Sequence, residues 1–456
     1  MNVRALAIYL GGQSRRERIG VLFQYVLAPD VVTTRFQADD AFARDSAALL
    51  LSISTLAPTP EAQKSLWNDI AAPRLNGRFS GRNGWLLPPF FQNLLPEGVL
   101  RDRLAEIRGC EPNDNFEMLA ACGRDLPGNL YALPIDLSRD ELDGLVTQHH
   151  DALEMSVTAS PMDEGVSVSG VQPKLGVVRE GQRFVARTKD GDAQVIAKLP
   201  VVGYARLPEL EELSLRLARA AGANVCNAYL VPLERLEVQH GYDLGEEDSQ
   251  TNFLAVERYD RDAPGRVHCE DFAQVMSVWP EDKYTGATYL EVAATMLSLP
   301  TLGEPAVHEL LRRIVVNELL GNPDMHLKNI GLRYPDGRTP ELPGAYDIVA
   351  YAAYQKRHGH ALHLLPSALR ETPRARASDV ATSKPQLTPS VVRQFATSLR
   401  LVEKPLSTVI RKTVAQAVAT WPALIAGSLL TEQQKRNLLG HFDSHPKVVS
   451  LMARKA

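Results

Sequence analysis

The stretch "NPDMHLKNIGL", residues 322–332, decides how this chain is read. It follows directly on "EPAVHELLRRIVVNELLG", residues 304–321, whose apolar residues recur at helical spacing. Pro305 stands near the start of that helix and Gly321 at its end, the usual punctuation. Asp324 and Asn329 therefore lie on the loop leaving a long helix, in a D-x-x-x-x-N arrangement. The spacing has a chemical use. An aspartate can accept the proton of an attacking hydroxyl, and an amide oxygen one loop-turn on can hold a Mg²⁺ that bridges phosphates. Taken alone, the same two residues also read as local caps of a helix-ending turn.

Working outward, three more stretches bear on the choice. Asp347 sits in "GAYDIVA", residues 344–350, an acid among apolar residues. It is either a strand-end residue or a second metal ligand of the kind protein kinases place after their catalytic loop. Upstream, "VIAKLP" (195–200) puts Lys198 in an apolar strand, where it either snorkels to solvent or meets phosphates, as the V-A-I-K lysine of kinases does. In the following helix Glu211 can reach back to it, with Glu209 and Glu212 as rivals. Before the lysine strand comes "SVSGVQPKLG" (167–176). It lacks a G-x-G-x-x-G pattern, and a surface hairpin is one reading. In the other, backbone N–H groups at Gly170, Val171 and Gln172 line a phosphate.

The organisation along the chain agrees with such a site. "LAIYL", the turn "GGQSRRERIG" and "VLFQYVL" read as strand, turn and strand; "PEGVLRDRLAEIRG" and "NDNFEMLAACG" read as capped helices. "SVSGVQPKLGVV", "RFVART" and "QVIAKLP" read as strands, "LPELEELSLRLARAAG" as a helix, and "AYLVPL" and "NFLAVERYD" as further strands. After residue 265 the pattern turns helical, apart from a Pro/Ser/Thr/Arg-rich stretch from Pro366 to Ser390 that reads as a loop. "HGHALHL" reads as a strand with solvated histidines at 358, 360 and 363. A strand-rich unit followed by a helix-rich one gives an α+β fold with a cleft between lobes.

Composition excludes several classes. A net charge of −4 gives no global attraction to nucleic acid or an anionic membrane. The longest nearly apolar run, "AALLLSISTLAP", is short of the roughly 18 residues a membrane helix needs. The N-terminus lacks a signal-peptide pattern, and four scattered cysteines without C-x-x-C point to a reduced, cytoplasmic protein.

In order, the loop, lysine, Asp-x4-Asn and final Asp resemble the HipA family, the serine/threonine kinase toxins of bacterial toxin-antitoxin modules. "PFFQNLLPEG", "DNFEMLAACGRDLPGNL", "SVSGVQPKL", "VIAKLP", "VERYDR", "NPDMHLKN" and "AYDIV" carry the resemblance over nearly the whole chain. It implies a bilobal protein-kinase-like fold with a β-rich N-terminal lobe, including an extra N-terminal subdomain, and an all-α C-terminal lobe. The divisions expected are residues 1–150 (extra subdomain), 151–265 (N-lobe with a phosphate-contacting loop) and 266–456 (helical lobe with the catalytic loop). It implies roles as well. Asp324 is the base, Asn329 and Asp347 hold Mg²⁺, Lys198 contacts ATP phosphates with Glu211 as its ion pair, and Glu257 and Tyr259 mark the hinge at the adenine. Ser167 falls at the family's autophosphorylated serine, and Ser169 makes an S-x-S pair with it, so either serves as acceptor. The implied partners are a small DNA-binding antitoxin, DNA only through it, and a protein substrate, which in some family members is an aminoacyl-tRNA synthetase. Two rival readings stand beside this one: a catalytically silent corepressor, and a small-molecule kinase of related fold.

Overall fold

The structure, a computed structural model, describes all residues except 1, 13–14, 29–30, 46–48, 139–153, 156–159, 163–166, 168–171, 187–191, 246–250, 262–264, 356–358, 371–385 and 454–456. Strand β1 (Asn2–Gly12) alternates between two cores: Leu6, Ile8 and Leu10 enter one, Val3 and Ala5 the other. It pairs antiparallel with β2 (Arg15–Ala28), which pairs with β3 (Val31–Ala38), and β4 (Leu130–Pro134) adds on the far side of β1. The turn expected over "GGQSRRERIG" is shorter than its polar composition suggests. Strand β2 already starts at Arg15, opposite Gly12, and the Arg16 guanidinium covers the Tyr131 ring at 4.1 Å. Helices α1 (Gly98–Arg108) and α2 (Asn115–Cys122) pack below this sheet with Phe90, Phe91 and Leu94. Gly109 closes α1 in the left-handed region at φ 71°, and the Asp114 carboxylate caps α2 by accepting from Glu117 N.

A second sheet carries β5 (Lys174–Glu180), β6 (Arg183–Ala186), β7 (Val195–Lys198), β8 (Ala228–Pro232), β9 (Leu236–Glu237) and β10 (Asn252–Glu257), in the order β8-β10-β7-β5-β6-β9. Strand β5 begins only at Lys174, not at Ser167, because Pro173 just before it has no N–H to give a ladder. Helix α3 (Leu207–Ala220) covers the sheet, with Leu210, Leu213 and Leu217 buried.

The C-terminal lobe is built on α4 (Tyr289–Ser298), α5 (Gly303–Leu320), α6 (Pro389–Leu399), α7 (Glu403–Ala426), α8 (Glu432–Ser444) and α9 (Pro446–Ala453). Among the described residues it is helical as expected except for one two-stranded antiparallel sheet, β11 (His268–Asp271) with β12 (Gly331–Tyr334). The catalytic-type loop runs straight into β12, so this small sheet holds its far end. Trp421 of α7 is fully buried and donates to Leu217 O of α3 at 2.8 Å, joining the two lobes. Glu318, in the last turn of α5, is a buried anchor for the end of the chain. It meets His360 Nε2 at 2.8 Å, Leu387 N at 2.5 Å and Lys447 Nζ at 2.5 Å. Burial pushes its carboxyl up, but His360 and Lys447 outweigh this and hold it at about 2. The solvated-strand reading of "HGHALHL" is therefore corrected: His360 is buried on Glu318 outside any strand, and His358 lies outside the described residues. Most of the expected 366–390 loop also lies outside them. Among the described residues, no helix is long and apolar enough to cross a membrane.

The N-terminal unit is stapled to the rest by polar contacts. Glu270 of β11 is 1% exposed and accepts from Ser52 Oγ at 2.6 Å, Ile53 N at 3.0 Å and the Tyr334 hydroxyl. Burial pushes its carboxyl up to about 7. A raised folded-state value means the proton binds more tightly in the folded protein, so this group's stabilisation declines as pH rises from about 4.5 to 7 and is flat above. Glu270→Gln should therefore gain on wild type across that window, by roughly 2–3 kcal/mol at most, in urea midpoints taken at pH 5 to 8.

Candidate active site

Gly321 ends α5 in the left-handed region at φ 63°. The chain then turns back: Asn322 N donates to Asn317 O at 2.8 Å, and Asn322 Nδ2 to Asn317 Oδ1 at 2.6 Å. Asn322 Oδ1 in turn accepts from Asp324 N at 3.1 Å. Asn329 Nδ2 donates to Asp324 O at 2.8 Å, which closes the loop and leaves the amide oxygen of Asn329 to face elsewhere. The Asp324 carboxylate accepts one bond, from the Tyr284 hydroxyl at 2.6 Å. Burial and the nearby charge of Asp347 raise it above the ordinary aspartate value, against the Tyr284 bond. A raised carboxylate is a better proton acceptor than a solvated one.

Asp347 is set by a close backbone approach. A Cβ on Gly344 would come within 2.5 Å of the Val225 backbone, and Ala345 exchanges bonds of 2.9 Å with Asn224 and Cys226. Two residues later Asp347 itself stands at φ 57°, a left-handed conformation that costs a non-glycine residue about 1–3 kcal/mol. Its carboxylate meets Lys198 Nζ, which also meets Glu211 Oε1 at 2.5 Å. The rivals are engaged elsewhere: Glu209 with Asn252 and Arg206, Glu212 with Arg216. Burial works against the charge on Lys198, but Asp347 and Glu211 hold its pKa well above the lysine range. Burial raises Glu211, whereas Lys198 and Lys174 pull Asp347 well below the carboxylate range.

Lys174 was not singled out in the sequence. It is the first residue of β5 and lies opposite Lys198 in the strand register, so two ammonium groups line one cavity. Burial lowers its pKa to about 8 against the pull of Asp347. The signal was present as a lysine directly after the proline of "VQPKLG", but its neighbour across the sheet is not visible in sequence.

The cavity is also lined by Asn93, Leu94, Ser167, Glu257, Tyr259 and Asn329. Ser167 is 2% exposed; its N–H donates to Asp125 O at 3.0 Å and its hydroxyl to Leu94 O. Gln172 is half-buried and donates to Leu199 O at 3.1 Å. Ser169, Gly170 and Val171 lie outside the described residues. Glu257 ends β10 exposed, and Tyr259 stacks on Tyr346 at 5.6 Å, against Gly331. Arg258 and Asp260 of "VERYDR" also border the cavity, and with Arg261 they tie it to the N-terminal unit. Arg258 Nη1 and Arg261 Nη2 reach Asp125 Oδ1 at 2.8 and 2.7 Å, and both guanidiniums also bond Asp260 at 2.9 and 2.6 Å.

The donor set suits a hard cation. The amide oxygen of Asn329, for which no bond is seen among the described residues, and the Asp347 carboxylate are oxygen donors of the kind by which Mg²⁺ is commonly held, one or two such groups plus substrate phosphates. Among the described residues no cluster of three His, Cys, Asp or Glu side chains offers a metal site of another kind.

Comparison with known proteins identifies the family. Residues 166–421 match the HipA-like C-terminal domain and residues 13–133 the HipA N-terminal domain. The chain belongs to the HipA family. A putative kinase, Y4dM of Sinorhizobium fredii, is 36% identical over 275 residues, covering 59% of this chain and 63% of that protein. The serine/threonine-protein kinase toxin HipA of Shewanella oneidensis is 28% identical over 58% of this chain and 63% of its own length. The chain thus spans a little under two thirds of these curated relatives. The solved complex of Shewanella oneidensis HipA, HipB and operator DNA matches with a TM-score of 0.64 at 20% identity, covering 98% of this chain and 99% of that one. The HipA-family fold is therefore the kinase-like bilobal one.

Lys198 yields a direct test of the site. Lys198→Met removes the cation that contacts both Glu211 and Asp347 and leaves them only the more distant charge of Lys174. Its melting temperature should fall, and the further rise on adding ATP and Mg²⁺ should shrink, since ligand stabilisation follows affinity by mass action. An undiminished ATP-induced rise would place the nucleotide elsewhere.

Proposed function

We propose that this protein is an ATP- and Mg²⁺-dependent serine/threonine protein kinase, acting as the toxin of a toxin-antitoxin pair and modifying itself in "SVSG". The observation that supports it most is that Lys198, held by the buried Glu211, meets Asp347 in a cavity that Asn329 of the Asp324 loop also lines. In this reading Asp324 accepts the proton of the acceptor hydroxyl. Lys198 and Lys174 face the ATP phosphates, and Asn329 and Asp347 hold Mg²⁺. The ion neutralises charge on the transferring phosphoryl group. Tyr284 must yield its bond to Asp324 when the acceptor hydroxyl arrives. We take residues 1–150, 151–265 and 266–456 as extra subdomain, N-lobe and C-lobe. Glu257 and Tyr259 are read as hinge-side residues by family position, with Gly170, Val171 and Gln172 as the phosphate-contacting turn. A small DNA-binding antitoxin is the proposed partner, because the matching Shewanella complex pairs HipA with HipB and operator DNA. The substrate is a protein serine or threonine.

Ser167 or Ser169 is the proposed self-modified residue. A phosphate there adds roughly −1.5 to −2 charges. With a phosphoserine in the cavity, ATP binding would be opposed. Purified protein incubated with labelled ATP and Mg²⁺ should acquire one phosphoserine within residues 167–169, read by mass spectrometry. Its ATP affinity should then fall. Nucleotide binding without any transfer would overturn the kinase reading in favour of a silent corepressor, and transfer only to small molecules would make it a small-molecule kinase.

A further inference from the structure

The site contains a residue from the N-terminal unit whose job neither sequence nor family position states. Glu97 follows Pro96 in "NLLPEG" and stands immediately before α1. Its carboxylate lies between two lysines of the kinase body. Oε2 accepts from Lys283 Nζ at 2.8 Å, and Oε1 is 3.1 Å from Lys328 Nζ as a charge contact. Each lysine touches the reacting region on its other side. Lys328 stands between Asp324 and Asn329 on the loop and is 2% exposed. Its ammonium donates to Asn93 O at 2.9 Å, and its carbonyl accepts from the Tyr346 hydroxyl at 3.0 Å, next to Asp347. Lys283 precedes Tyr284, the residue whose hydroxyl holds the Asp324 carboxylate.

We infer that Glu97 is a positioning residue for phosphoryl transfer, fixing the 322–329 loop through Lys328 and the Tyr284–Asp324 contact through Lys283. This deepens the kinase reading and rests on it for its catalytic consequence, though not for its geometric one. The physical argument is one of placement. A buried ammonium must have a counter-charge; Lys328 has Glu97 in direct contact, with Asn93 O as acceptor and the Asp271 carboxylate lining the same cavity. Without the Glu97 carboxylate, Lys328 would be drawn toward solvent, and the backbone between Asp324 and Asn329 would move with it. Misplacement of a base by about 1 Å costs on the order of 100-fold in rate. Burial works against the charge on Glu97, but Lys328 and Lys283 reverse this and keep it well below the carboxylate range, so it remains an anion at working pH.

The test uses the full chain as Glu97→Gln and Glu97→Asp, with Lys283→Gln as a milder variant that keeps the Lys328 contact. Two readouts are taken with wild type in parallel: amide hydrogen exchange across residues 280–330, and steady-state transfer to a protein acceptor. In Glu97→Gln, exchange should quicken within 283–286 and 322–330 but not in β7 or α3. The transfer rate constant should fall about 10- to 100-fold with the KM for ATP changed by less than about twofold. Glu97→Asp should recover part of both, and Lys283→Gln should loosen 283–286 alone. Unchanged exchange in 322–330 overturns the inference whether or not wild type transfers phosphate. A matched rise in KM for ATP also overturns it, since Glu97 would then be shaping the nucleotide site. Loop loosening in a wild-type background that never transfers phosphate would uphold the placement and overturn the kinase reading instead.

Discussion

Asp324→Asn is expected to lower phosphoryl transfer by about 10³-fold while ATP affinity changes little. Asparagine keeps the shape and can still accept from the Tyr284 hydroxyl, but it cannot take a proton. Lys198, Lys174 and Asp347, the groups proposed to face the nucleotide, are untouched, so binding should persist. Rapid-quench measurement of transfer alongside calorimetric ATP binding separates the two effects. Asp347→Asn should behave differently, weakening Mg²⁺-ATP binding as well, because it removes an anionic oxygen ligand and unbalances Lys198. If both variants transfer phosphate at wild-type rates, the assignment of the base and the metal ligands is wrong.

The largest effect on stability is expected at Asp125. Its carboxylate is fully buried and accepts from Arg258, Arg261 and Ala193 N, while its carbonyl accepts from Ser167 N. Breaking a buried pair leaves uncompensated charge and typically costs 3–5 kcal/mol. Asp125→Ala should therefore destabilise by about that amount, measured as a shift in the urea midpoint. Burial alone would raise the carboxyl, but Arg258 and Arg261 hold it at about 2. A depressed value makes the contribution present above about pH 4 and lost as pH falls toward 2. The gap between variant and wild type should thus close in acid. A gap that stays constant from pH 5 to 2 would mean the carboxylate's charge is not what stabilises this junction.

Much of the site could be read along the chain because its parts are local. A helix stopped by glycine, an Asp and Asn with four residues between them and a lysine in an apolar strand each have a physical reason within a dozen residues. The strands β7 and β10 and the helices α1, α3 and α5 were legible for the same reason, since their apolar spacing matches one period. What escaped notice depends on partners far away in sequence. Lys328 is 235 residues from Asn93, and Arg258 is 133 from Asp125, and charge pairs at such distances leave no local pattern. "VERYDR" shows the limit well. Glu257 and Tyr259, the residues expected at the nucleotide, line the cavity, but the ion pairs of Arg258 and Arg261 with Asp125 and Asp260 could not be read from the stretch itself. Strand β2 was read as starting late because the arginine-rich hairpin tip looks like a turn when the contact of Arg16 with Tyr131 is unseen.

The inter-unit contacts also say how the chain can be divided. Lys328, Arg258 and Arg261 are buried cations, and Glu97 and Asp125, both before residue 130, supply part of their counter-charge. A polypeptide cut between residues 139 and 153 would leave the C-terminal fragment with those cations exposed or unbalanced, so that fragment expressed alone should be poorly soluble. The two fragments expressed together should find each other through the same charges. In that sense the protein is suited to fragment complementation, in which recovery of the proposed phosphoryl transfer reports that two separately produced pieces have met.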